Sequence, residues 1–211
     1  MKKFATFALL FSCLFLGCRS VYYSTWEKLG KQKRDLLQSK VKQVRDEQQD
    51  ASQQLKDALT RLQELYGFQG GDLEKIYRGL QRDYDSSAAK ARALQDRIRQ
   101  MNQIARDLFK EWESEAKSIT SSTLRESSLS QLRETRRRYE ELYTATLKAE
   151  QSMEPVLAKF RDYVLYLKHN LNAQAIGALQ VEAKKIQIDI SQLIDEMNAA
   201  IRKADEFMRE K

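Results

Sequence analysis

In 211 residues the sequence holds only two cysteines, one proline, one histidine and seven glycines. Each scarcity excludes something. Both cysteines, Cys13 and Cys18, lie within the first eighteen residues, so the long remainder has no thiol for a disulfide, for redox work or for a soft metal site. His169 stands alone, and a lone histidine without cysteines falls short of the usual zinc ligand set. It is expected to be an exposed turn residue, with no metal bound. Few glycines and a single proline, Pro155, leave little material for tight turns and sheets, and suit long helices. Phosphate loops are missing too: Gly67 to Gly71 follows a helical pattern and has no lysine to hold phosphate, and no HExxH is present. The serines of residues 118–130 have no base nearby, and the carboxylates are scattered along helix flanks. The expectation is a non-catalytic protein without a cofactor.

What is present begins with an address. Lys2 and Lys3 precede an apolar run from Phe4 to Leu16. That run is shorter than the roughly 20 residues a membrane-spanning helix needs, and it fits a signal peptide. It closes on Leu14-Phe15-Leu16-Gly17-Cys18, with a small residue just before the cysteine, as bacterial lipoprotein processing requires. Residues 1–17 are then a cleaved leader, and residues 18–211 form one elongated helical domain anchored by lipidated Cys18. The anchor is a covalent diacylglycerol plus an N-acyl chain, since one chain alone binds a membrane only marginally. An ordinary secretory leader with a chance cysteine is the alternative. Arg19 stands where an aspartate would retain the protein in the inner membrane. The inner leaflet of the outer membrane of a Gram-negative cell, facing the periplasm, is therefore expected.

The chain carries 37 basic and 30 acidic residues, and loss of Lys2 and Lys3 leaves 35 against 30. A basic balance can mean nucleic acid, but an envelope lipoprotein meets anionic lipid, lipopolysaccharide or cell-wall polymer instead. The charges alternate in sign, as on the flanks of solvated helices.

The apolar pattern repeats by threes and fours in four segments. The first runs from Val41 through Val44, Gln48, Ala51 and Leu55 to Leu65; the second from Tyr77 through Leu94 and Met101 to Trp112. The third runs from Leu132 through Tyr139 and Phe160 to Leu167, and the fourth from Ile176 through Ile190 to Phe207. Such a repeat keeps one stripe facing partner helices, and neighbours such as Leu59, Tyr143, Val164 and Ile201 widen it to a bundle core. The fold class is all-α: an elongated antiparallel four-helix bundle of long helices, with a homo-oligomer also open. Three breaks separate the segments. Asp72 is placed to cap the second helix after Gly67–Gly71, Thr123 with Glu126 has capping-box spacing, and Asn172 is placed to cap the fourth helix. Pro155 falls on the outward face of the third segment and should kink it; a split there, giving five helices, is the alternative.

An up-down-up-down order sorts the ends. The first helix starts near Cys18, so the first and third turns share the far tip. That tip gathers Phe68, Gly70, Gly71, Asp72, His169, Asn170 and Asn172, a glycine-rich turn with an apolar ring beside polar groups. It reads as a partner-docking patch, or else as a ring stapling two helices while the asparagines cap them. Nearer the anchor, Lys31, Lys33 and Arg34 lie level with Arg136, Arg137 and Arg138. These six form a basic belt for anionic lipid, or else pair with acids across helices. Tyr22 and Tyr23 suit a lipid interface.

Several stretches together resemble one family. They are Tyr22-Tyr23-Ser24, Lys33-Arg34-Asp35, Gly70-Gly71-Asp72-Leu73-Glu74-Lys75, Met153-Glu154-Pro155-Val156-Leu157 and Leu167-Lys168-His169-Asn170-Leu171-Asn172-Ala173. They are similar to the bacterial lipoproteins grouped as domain-of-unknown-function family 2959. The resemblance covers essentially the whole chain and implies a helical envelope lipoprotein; it supplies no substrate or catalytic residue. Three functions are open: a strut presenting its tip to an envelope partner, a membrane-surface or membrane-shaping module, and a cell-wall tether.

Overall fold

The computed structural model describes residues 33–64, 73–170 and 173–209; in the last stretch the side chains described are Glu182 and those from Lys184 onward. Four helices account for nearly all of them: α1 (Lys33–Glu64), α2 (Leu73–Ser118), α3 (Ser122–His169) and α4 (Ala173–Arg209). No strand occurs among the described residues. α1 packs on α2, α2 on α3, α3 on α4, and α4 back on α1, which closes a four-membered ring. Helices joined by short turns run antiparallel, and the cross-links fit that register. Lys33 reaches Glu111 near the start of α1, and Arg61 reaches Asp83 near its end. At about 1.5 Å per residue, the 48 residues of α3 make a rod roughly 70 Å long. No described helix is long and apolar enough to cross a membrane.

The core follows the three-four stripe. Val41, Val44, Gln48, Ala51, Leu55, Ala58 and Leu62 are all buried on α1, and the α3 stripe is buried from Tyr139 through Leu167. Phe160 is completely enclosed and meets the ring of Tyr84 edge-on at 6.0 Å. Tyr139 meets Phe109 at 5.6 Å and Phe207 at 6.0 Å, so one aromatic cluster joins α2, α3 and α4. Burial of the Tyr139 phenol pushes its pKa above the usual tyrosine range.

α3 runs unbroken through Pro155, whose side lies exposed. The missing N–H leaves a carbonyl one turn earlier on the same outward face, where water can satisfy it. Pro155 therefore does not split the third helix in two. The second turn differs from the sequence expectation. Ser121, not Thr123, caps α3: its hydroxyl accepts from the Leu124 N–H, its carbonyl accepts from the Arg125 N–H at 2.9 Å, and Ser122 and Thr123 are already helical. Serine and threonine are both good caps, so the choice fell to helix phase. Arg125 adds a guanidinium bond to the Ile119 carbonyl at 2.9 Å, which satisfies a carbonyl just past the α2 terminus.

Candidate functional site

Glu64, Leu73, His169 and Ala173 are the helix ends at one extremity of the bundle. Of the expected tip residues, Phe68, Gly70, Gly71, Asp72 and Asn172 lie outside the described residues. His169 is the last residue of α3 and is exposed. Asn170 is its C-cap: the backbone N–H donates to the Leu167 carbonyl at 3.1 Å and Nδ2 donates to the Tyr166 carbonyl at 2.9 Å. The Asn170 amide is thus spent at least partly on closing the helix.

Below this end the sequence reading missed a clamp. Arg61 Nε donates to Asp83 Oδ2 at 2.6 Å, and Gln54 Nε2 donates to Asp83 Oδ1 at 3.4 Å. Asp83 is buried, with only 11% of its side chain exposed. The Asp83 hydrogen bond raises the Arg61 pKa above its usual value. The Arg61 side chain crosses directly over Gly79, where an added Cβ would sit 2.6 Å from its Cδ. The signal for it was a glycine inside an otherwise glycine-poor helix. Gly79→Ala ordinarily gains about 1 kcal/mol of helix propensity. Here the methyl displaces Arg61 from Asp83, so no stabilisation is expected in the wild-type background. In an Arg61→Ala background the gain of about 1 kcal/mol should return, and urea unfolding of the four variants measures both.

Beside the tip, Leu165 and Tyr166 are the exposed large apolar side chains of α3's last turns, at 47% and 40%. Tyr166 also lines a groove of about 380 Å³ between α3 and α4, with Lys159, Asp162, Lys185 and Ile186. Leu165 and Tyr166 fall off the inward stripe of Tyr163 and Leu167, so their exposure was legible in the register.

Toward the opposite extremity, four of the five described members of the basic belt are drawn into ion pairs. Lys31 lies outside the described residues. Lys33 bonds Glu111 on α2 at 2.6 Å, and Arg136 meets Glu113 at 3.4 Å while standing 5.6 Å from the Phe109 ring centre. Arg137 bonds Glu134 at 2.6 Å and also Glu141, and Arg138 lies 3.8 Å from Glu134. Arg34 is exposed and lines a cavity of about 790 Å³ with Leu37, Trp112, Glu134, Arg138 and Phe207. The belt exists as a level of the bundle, and most of its positive charge faces carboxylates.

The pairing leaves its mark on the acids. The Arg137 hydrogen bond holds Glu134 below the usual carboxylate range, and bonds from Lys117 and Arg136 do the same for Glu113. A lowered folded pKa stabilises fully above the unfolded value of about 4.3 and is lost as pH falls through the lowered one. Melting temperature should therefore hold steady down to about pH 5 and decline below about pH 4. Both carboxylates are solvent-facing, so the decline should be smaller in high salt. Melts at two ionic strengths across that range check it.

Among the described residues no group of three or more His, Cys, Asp or Glu side chains could hold a metal ion. The two ends, each with its own chemistry, are the features a partner would meet. A family model for proteins of unknown function, DUF2959, matches residues 22–211. The chain belongs to this family. The DUF2959 match starts at Tyr22, four residues past Cys18, and spans all four helices. No curated protein and no solved structure matches the chain.

Proposed function

We propose that the protein is a non-catalytic envelope lipoprotein: a strut held to the outer membrane by acylated Cys18, presenting its far tip to an envelope protein. The observation that carries this is the placement of the ends. In sequence Cys18 precedes the start of α1 at Lys33 by fifteen residues, and the helix ends Glu64, Leu73, His169 and Ala173 lie at the other extremity, the length of α1 away. A closed ring of long helices transmits position stiffly, because bending it means repacking every layer. The ion pairs of the belt weigh for an upright rod, since a compensated surface attracts anionic headgroups weakly. Leu165 and Tyr166 add apolar contact area near the tip.

The test is a photo-crosslinking amino acid at position 68 or 170 in living cells, with an outward mid-rod control at Arg99. A discrete protein adduct from the tip alone is expected. Lipid adducts from the mid-rod would instead support a membrane-surface module, and adducts on glycan strands would support a cell-wall tether.

A further inference from the structure

The middle of the bundle core holds buried polar groups that no described protein group satisfies. Gln48 and Thr146 are both at 0% exposure, yet neither the Gln48 carboxamide nitrogen and oxygen nor the Thr146 hydroxyl has a hydrogen-bond partner. The hydroxyls of Ser52 (3% exposed) and Ser87 (2% exposed) are in the same condition.

The helix register places these groups together. Arg45 reaches Asp205 at 3.7 Å and Arg97 bonds Glu47 at 2.8 Å, so Gln48 lies level with α4 near Ala200 and with α2 near Leu94. Lys148 meets Glu196 at 3.3 Å and Lys203 meets Glu141 at 3.5 Å, which sets Thr146 level with that same Ala200. Gln48 and Thr146 therefore come from diagonal helices at one level of the core. One turn further, Lys90 meets Asp50 at 3.7 Å and Gln54 bonds Asp83 at 3.4 Å, which brackets Ser52 opposite Ser87. Ala51, Ala149 and Ala200, all buried, are the small side chains of this section.

A carboxamide offers two donors and two acceptors, and hydroxyls offer both kinds. Neutral groups of mixed polarity, buried beside small side chains, match water rather than an ion or an apolar ligand. We infer that the centre of the bundle holds ordered internal water, hydrogen-bonded to Gln48 and Thr146 and continuing to the Ser52–Ser87 level. The hydrated section also fixes alignment. A seven-residue slip of α1 in the direction of Met101 would carry Gln48 to the level of Met101 and Tyr139, both buried, where Tyr139 packs among Phe109 and Phe207 and the carboxamide would lose its water.

Oxygen-17 relaxation dispersion of the purified protein detects long-lived internal water. The wild type should show a dispersion whose amplitude falls by at least half in Gln48→Leu/Thr146→Val, with helicity retained. Ser52→Ala/Ser87→Ala, a milder change that keeps the main site, should lower it by a smaller step. Equal amplitude in the wild type and in whichever of these variants stays folded would overturn the inference, as would absence of any dispersion in the wild type.

Discussion

Replacing Cys18 with serine, behind an ordinary secretory leader in place of residues 1–17, should abolish incorporation of labelled palmitate and move the protein from the membrane fraction to the soluble fraction. The effect should be nearly complete because the proposed acyl chains would have no substitute among the described residues. Each buried methylene contributes about 0.8 kcal/mol, and no described helix offers a spanning segment. Charge would not replace them, since Lys33, Arg136 and Arg137 already face Glu111, Glu113, Glu134 and Glu141. Fractionation at low and high salt distinguishes the cases. Membrane retention of the serine variant in high salt would contradict the anchor.

Phe160→Ala should be the most damaging single change in the described core. Phe160 is at 0% exposure, and truncating a fully enclosed phenylalanine typically costs about 3–5 kcal/mol. The loss also breaks the edge-on contact with Tyr84, which joins α2 and α3 at that level. For a domain of this size the melting temperature should fall by roughly 6–20 °C. Ile188→Ala, at a position 65% exposed, serves as the control and should change stability by no more than about 0.5 kcal/mol. A comparable drop for both would mean that the core is not where the stripe puts it.

Much of the fold was legible because a bundle stores its architecture locally. The stripe through Val41, Leu55, Met101, Phe160 and Ile190 needed only the three-four spacing, and those residues are buried. The breaks were legible as regions, but the cap at Ser121 was not. Three consecutive residues, Ser121, Ser122 and Thr123, can all cap, and only the helix phase chooses. The Arg61–Asp83 clamp over Gly79 was invisible for a different reason. It joins residues 22 positions apart on two helices, and only the packed register brings them to 2.6 Å. The belt sits between these cases: its level was readable from helix lengths, while the acids that compensate it come partly from α2 through Glu111 and Glu113. The tip lies mainly on residues beyond the described helices, so its reading rests on the topology and on His169 and Asn170.

The most direct test of an upright strut is the height of its two ends above a bilayer. If residues 1–17 are removed and Cys18 is acylated, as proposed, no other thiol remains, so Thr120→Cys and His169→Cys each take one dye. Both positions are exposed, and they lie at opposite extremities of α3, roughly 70 Å apart along the axis. In liposomes carrying an acceptor at the headgroups, energy transfer should be strong from residue 120 and close to background from residue 169. Equal, strong transfer from both would mean that the rod lies flat on the membrane, and would contradict the account.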